Sequence, residues 1–194
     1  AVVLGFAIPA GILFLIEFFK YKIEGHADVV KLTQIPVIAD IPVASDVSKG
    51  RADIVVHQNV NNLMEEIFRG LRTSIQFMLK KDEKVLMFTS STSGEGKTFV
   101  ASNVAISLAL LGKKVIVVGL DIRRPRLAEL FEIDNHHTGI TNLMIHENNT
   151  WEDIQKQILS SGVNSNLDLL MAGPVPPNPG ELITRPSLDA IIKE

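Results

Sequence analysis

Apolar and polar positions divide the chain into regimes with different periods. Residues 1–19, "AVVLGFAIPAGILFLIEFF", carry a single charge, Glu17. As a helix this stretch rises about 28 Å, close to the thickness of a bilayer's hydrocarbon core. The pattern predicts a transmembrane helix over 1–19. Pro9 and Gly11 are tolerated in such helices, and Glu17 sits near enough to the end for its carboxylate to reach the interface. Lys20-Tyr21-Lys22 then supplies a positive flank with an interfacial aromatic, which places the following chain in the cytoplasm. A cleaved signal peptide is the competing reading. No basic segment precedes the apolar run, however, and no Ala-x-Ala-like site follows it. Because the chain opens on Ala1 inside apolar sequence, the expectation is a piece of a longer protein.

Residues 20–56 read as a juxtamembrane connector. Its one apolar stretch, "IPVIADIPVA" (35–44), holds two prolines, which predicts a turn and a short edge strand rather than a helix. From 59 to 79 apolar residues recur at three-and-four spacing: Val60, Leu63, Met64, Ile67, Leu71, Ile75, Met78 and Leu79. That is one stripe of an amphipathic helix. Glu66, Arg69 and Arg72 fall on a neighbouring arc, where the plain reading is a solvated face with a weak i,i+3 ion pair.

The remainder alternates continuous apolar runs with helical segments. Strands are expected at Val85–Thr89, Val115–Leu120 and Leu167–Met171, and a helix over Gly96–Leu111 that Gly112-Lys113-Lys114 stops. Continuous apolar runs suit strands buried on both faces. The expected architecture over 57–194 is therefore one α/β domain, a mostly parallel sheet with helices on both faces.

Composition narrows the chemistry. Twenty-two acidic against 19 basic residues give a net charge of -3, which carries no nucleic-acid signature. There are no cysteines, so disulfides and thiolate chemistry are excluded. His26, His57, His136, His137 and His146 show no metal-binding spacing.

The informative stretch is "SSTSGEGKT", residues 90–98, between the apolar run "KVLMFT" and the segment "FVASNVAISLALLG". Gly94 and Gly96 let the backbone turn with its N–H groups inward, and a helix starting near Gly96 or Lys97 aims its positive dipole end at the same point. Lys97 adds a full charge for the outer phosphates and Thr98 a hydroxyl for magnesium. The pattern G-x-x-x-x-G-K-[ST] is met at Gly96, Lys97 and Thr98, with Ser91 in place of the first glycine. The plainer alternative is a Ser/Gly-rich turn between strand and helix. Asp121 ends the next buried run, "VIVVGLD", where ligands of α/β sheets bind, and so could hold magnesium beside Thr98. A helix cap or loop Asp is the alternative there. Arg123, Arg124 and Arg126 form either a solvated basic turn or a phosphate contact.

Together these residues resemble the bacterial tyrosine kinases that form the cytoplasmic part of polysaccharide co-polymerases. "SSTSGEGKTFVASNVAISLALLGKKVIVVGLDIRRPRL" is similar to their Walker A, following helix and Walker A′ segment. "EIFRGLR", Glu66 to Arg72, matches their E-x-x-R-x-x-R motif, and "GPVPPNPGEL", Gly173 to Leu182, resembles a further family stretch. The resemblance implies an ATP-dependent protein-tyrosine autokinase, facing the cytoplasm from the bacterial inner membrane, that controls the chain length and export of capsular or exopolysaccharide. It implies an ATP site over Ser93, Gly94, Glu95, Gly96, Lys97, Thr98 and Phe99 with Arg123, and Lys97 and Asp121 as catalytic residues. Mg2+ would sit on Thr98 and Asp121. Glu66, Arg69 and Arg72 would pack copies into a ring, a neighbour's tyrosine-rich tail would accept the phosphoryl group, and the polysaccharide polymerisation and export machinery would be the wider partner.

The sequence departs from that family at three points. Gly119 stands where Walker A′ has its first aspartate. No later strand ends in the aspartate of a Walker B motif; the chain instead reaches Pro-rich sequence and a last helix, "PSLDAIIKE". No tyrosine cluster follows, Tyr21 being the single tyrosine. Truncation at Glu194 accounts for the last two, and this piece alone is expected to be inactive. Two rivals remain: a nucleotide-binding scaffold subunit that assembles without transferring phosphate, favoured by Gly119, and a deviant Walker partitioning ATPase, disfavoured because Thr92 stands where those carry lysine.

Overall fold

The structure, a computed structural model, describes residues 9–16, 23, 25–43, 54–57, 62–133 and 138–194. The chain divides into two compact units, Ala1–Asp40 and Ile41–Glu194. In the first, residues 9–16 are helical (α1) and exposed, and α2 (His26–Leu32) buries none of its residues. His26 Nδ1 approaches Asp40 Oδ2 at 3.6 Å. No helix among the described residues is long and apolar enough to cross a membrane. Residues 1–8 and 17–19 of the expected span over 1–19 lie outside the described residues, and only 9–16 of it is described.

The second unit holds α3 (Leu63–Met78), α4 (Lys97–Ala109), β1 (Val115–Val118), α5 (Leu127–Leu130), α6 (Ile140–Ile145), α7 (Trp151–Gln155), β2 (Ile158–Ser160), β3 (Leu167–Leu170), α8 (Pro179–Ile183) and α9 (Pro186–Lys193). The sheet order is β1-β3-β2. β1 runs parallel to β3, Val115 opposite Leu167, and β2 runs antiparallel to it, Ile158 opposite Leu170. Among the described residues the sheet is therefore mixed rather than mostly parallel. β2 carries no periodic signal, because it is three residues long and ends in serine.

Local chemistry sets the helix starts. Asn62 accepts a hydrogen bond from Glu65 N at 2.7 Å and caps α3. Thr150 and Asp153 form a reciprocal capping box on α7. Prolines open α8 and α9, where their missing N–H costs nothing. Helix α3 buries Leu71 and Ile75 of the expected stripe and half-buries Met64 and Ile67, but it is rotated so that Phe68 and Glu65 join them. Phe68, Leu71, Ile75 and the carboxylate-bearing Glu65 are buried, whereas Leu63 and Met78 are exposed. The cause is the partner surface: Phe68 meets Phe99 of α4 edge-on, ring centroids 5.7 Å apart, and that contact fixes the helix's rotation. Val60 of the expected stripe lies outside the described residues.

Leu170 of β3 joins Ile140, Leu143 and Met144 of α6, Leu182 of α8 and Ile191 of α9 in one buried cluster. Side chains alternate along a strand, so Leu167 and Leu169, also buried, face the opposite side, and α4 packs on β1 and β3. Layers of helices on two faces follow from that alternation. Backbone crossings tie α6 to the end of β3: Ile140 N donates to Met171 O at 2.8 Å and Thr141 N to Ala172 O at 3.0 Å. A Cβ on Gly139 would stand 2.2 Å from Met171 O, so only glycine lets the chains approach this closely.

Two further expectations need correction. Residues 85–89 form no strand: the run is outside the sheet, with Val85 66% and Met87 84% exposed. An apolar run becomes a strand only where a neighbouring edge takes up its N–H and C=O groups, and no described segment pairs with it. Residues 35–43 likewise make no ladder, because Pro36 and Pro42 remove donors and Ile35 N is taken by Thr33 Oγ1 at 3.1 Å. Conversely, Ile54 and Val56, read as connector, are buried. Asn103, itself fully buried in α4, accepts from Val55 N at 2.9 Å and Val56 N at 3.2 Å and donates to Phe99 O at 2.9 Å.

Candidate phosphate-binding site

The loop before α4 adopts its turn through two left-handed glycines, Gly94 (φ 95°) and Gly96 (φ 87°). Gly96 is also the N-cap of α4, so the first helical residue is Lys97. Ser91, in place of the usual first glycine, has no positive φ. That is the physical reason a residue with a Cβ is accepted there.

Lys97 Nζ donates to Asp121 Oδ2 at 2.9 Å, which joins the start of α4 to the carboxyl end of β1. Arg124 N donates to Asp121 Oδ1 at 3.1 Å. Partial burial works to raise the Asp121 pKa, but the hydrogen bonds from Lys97 and the Arg124 backbone outweigh it and hold the carboxyl below its ordinary range. The site opens to solvent beside a cavity of about 360 Å³ lined by Phe88, Thr89, Ser90, Ser91, Glu95, Lys97 and Val100. That volume is of the order that holds a small ligand.

The expected site residues take different places. Ser93, Gly94, Glu95, Gly96, Lys97 and Thr98 are contiguous around the turn, and Asp121 is brought to Lys97. Arg123 is exposed on the same loop as Asp121, and its backbone helps lower the Asp121 pKa. Phe99 is placed otherwise: its ring is spent on Phe68, so its side chain serves α3–α4 packing. Glu95 points back along the loop, its carboxylate accepting from Ser91 N at 2.9 Å, Thr92 N at 3.2 Å and Thr92 Oγ1 at 2.7 Å. The Thr92 bonds, against a small opposing desolvation, hold the Glu95 carboxyl below its ordinary pKa.

A Cβ on Gly119 would stand 3.1 Å from Ala172 N and 3.5 Å from Leu127 Cδ2. The missing Walker A′ aspartate thus coincides with a tight crossing of β1's exit over the chain leaving β3.

Glu66, Arg69 and Arg72 form a second cluster, on α3. Arg69 bridges Glu65 at 2.7 Å and Glu66 at 2.8 Å. Arg72 donates instead to Ser107 O at 3.0 Å and Ser107 Oγ at 3.2 Å, tying α3 to α4. Burial, and then the charge of Arg69, lower the Arg72 pKa. Periodicity gave no hint of Ser107 or Asn103, because each acts on a partner far along the chain or across a helix pair; Glu65 was missed although its partner, Arg69, lies one turn away on the same helix.

Comparison with known proteins relates the chain to nucleotide-binding domains and to tyrosine kinases. Residues 86–176 match the CobQ/CobB/MinD/ParA nucleotide binding domain. The chain is 31% identical over 138 residues, 71% of its length, to the tyrosine-protein kinase YwqD of Bacillus subtilis. It superposes on the crystal structure of the chimerical protein CapA2B2 with a TM-score of 0.71 and 30% identity, over 87% of this chain and 69% of that one. On the kinase domain of the Escherichia coli tyrosine kinase ETK the TM-score is 0.64 at 29% identity, over 82% of this chain and 56% of that one. The chain spans 56% of YwqD's own length.

Proposed function

The chain belongs to the bacterial tyrosine kinases, with their CbiA/MinD-like nucleotide-binding fold, and on that premise we propose that it is the nucleotide-binding part of an ATP-dependent protein-tyrosine autokinase serving capsule or exopolysaccharide synthesis. The observation that carries this reading is the Lys97–Asp121 pair at 2.9 Å, set at the end of a two-glycine loop that opens α4.

The chain's own groups divide the work. The N–H groups of the loop and of the first turn of α4 cradle the polyphosphate, and Lys97 leaves Asp121 to neutralise the outer phosphates. Thr98 and Asp121 offer a hydroxyl and a carboxylate, hard oxygen donors of the kind magnesium takes alongside phosphate and water. Bound there, magnesium would neutralise charge on the transferring group. In the transfer, a tyrosine oxygen forms a bond to the γ-phosphorus while the bond from that phosphorus to the β,γ-bridging oxygen breaks. The phenolic proton passes to a carboxylate near the metal, and ADP leaves. Positioning and charge neutralisation are the protein's main contribution.

The acceptor in this reading is a tyrosine in the tail of a neighbouring copy, the role that the family resemblance implies. Exposed Glu66 and Arg69 suit a ring contact between copies. The nearly uncharged stretch 1–19 with its Lys20-Tyr21-Lys22 flank supports anchorage in the inner membrane, with the kinase part toward the cytoplasm. The crowded Gly119 keeps one second reading, a nucleotide-gated scaffold without phosphoryl transfer. Labelled ATP with magnesium, given to the full-length protein, decides between them. Phosphotyrosine that disappears in Lys97→Met is the expected result; ATP binding without phosphotyrosine establishes the scaffold, and undiminished signal in Lys97→Met removes Lys97 from the chemistry.

A further inference from the structure

A phosphate loop works only if its N–H groups are already convergent when the ligand arrives, and the first glycine of the usual pattern contributes to that turn. Here Ser91 takes that place with ordinary backbone angles, and residues 91–95 are exposed, so no packing holds the first half of the loop. What holds it is one side chain. The Glu95 carboxylate reaches back three and four residues to take Thr92 N, Thr92 Oγ1 and Ser91 N, at 3.2, 2.7 and 2.9 Å. Ser90 Oγ adds a bond to Thr92 O at 3.1 Å. Hydrogen bonds to an ionised carboxylate are stronger than neutral ones, and three of them close a ring over residues 91–95.

We propose that Glu95 is a positioning residue of the phosphate loop, a carboxylate bracket that replaces the missing first glycine and pre-folds the loop for polyphosphate. This rests on the kinase reading of the site. The inference has a sign that separates it from the obvious alternative. Glu95 also lines the cavity beside Lys97. If its negative charge acted chiefly by repelling phosphate, removing it would tighten nucleotide binding. If it acts as a bracket, removing it loosens the loop and weakens binding. A loop ordered one-tenth of the time lowers apparent affinity about tenfold.

Three variants of the full-length protein test this, with titration of magnesium-ADP and amide hydrogen exchange in the absence of nucleotide as readouts. Glu95→Ala is expected to weaken ADP binding about tenfold and to speed exchange at Ser91 and Thr92. Glu95→Gln keeps a carbonyl oxygen for the two N–H groups and loses the charge, so it should retain most of the affinity. Thr92→Val removes one of the three bonds and should fall between wild type and Glu95→Ala. Equal or tighter ADP binding in Glu95→Ala overturns the bracket, as does unchanged exchange at Ser91 and Thr92. Should the wild-type protein fail to bind ADP, the kinase reading falls, while the exchange comparison still decides whether Glu95 orders the loop.

Discussion

Replacing Asn103 by leucine removes the clamp that fastens residues 54–57 to α4. The side chain is fully buried, accepts from Val55 N and Val56 N, and donates to Phe99 O. Leucine has the same branching with bulkier methyl groups, so water gains no room to replace the lost acceptor. Val56 is 1% exposed, and its N–H is left with no partner. A buried polar group without a hydrogen bond costs about 1–3 kcal/mol. Val55 is half-buried and recovers part of its loss from solvent, which brings the sum for the two donors to roughly 2–4 kcal/mol. With a urea m-value of about 2 kcal/mol/M, the unfolding midpoint should fall by roughly 1–2 M. Urea titration of wild type and Asn103→Leu, followed by far-UV circular dichroism, gives the number directly. A loss below about 0.5 kcal/mol, the range of an ordinary surface substitution, would refute the clamp.

Two other predictions address the charged clusters. Reversing Glu66 to lysine breaks its bond with Arg69 and places a cation beside it, so light scattering should show the full-length assembly falling to smaller species; an unchanged mass returns Glu66 and Arg69 to a solvated role. For Asp121 the folded pKa lies below the ordinary aspartate range, so its stabilising share is complete above that range and is lost as pH falls through the folded pKa. The thermal stability gap between wild type and Asp121→Asn should therefore be level from neutral pH down to about 5 and shrink below about 4. A gap independent of pH would show that the Lys97–Asp121 bond contributes nothing to the fold.

The phosphate loop was legible because its determinants are local. Gly94, Gly96, Lys97 and Thr98 are contiguous, and each residue type is required by backbone geometry or charge at its own position. Asp121 was legible as the end of an apolar run, although its distance to Lys97 was not, nor that the run is only half-buried, with Ile116 43% exposed. What the sequence hid depends on partners. The pattern cannot tell that 85–89 finds no strand beside it, that Arg72 turns to a carbonyl in α4, or that Asn103 reaches 48 residues back. The Glu95 bracket is short in sequence yet equally hidden, because a glutamate in a turn has no periodic signature. In α3 the period itself was right and the rotation wrong, since Phe68 is drawn inward by Phe99.

The order β1-β3-β2 bears on how the chain comes off the ribosome. Among the described residues both outer strands bond only to β3, the last of the three to be made: Val115 must wait for Leu167, and Ile158 for Leu170. At a synthesis rate of about 5–20 residues per second, β1 spends several seconds before the edge it offers to β3 is paired. During that interval α4, with its apolar faces and its newly made phosphate loop, has no sheet to lie on. The nascent domain is thus most vulnerable to sticking to its neighbours just before β3 emerges, and the arrival of four residues, Leu167 to Leu170, pairs one edge of β1 and one edge of β2 at once.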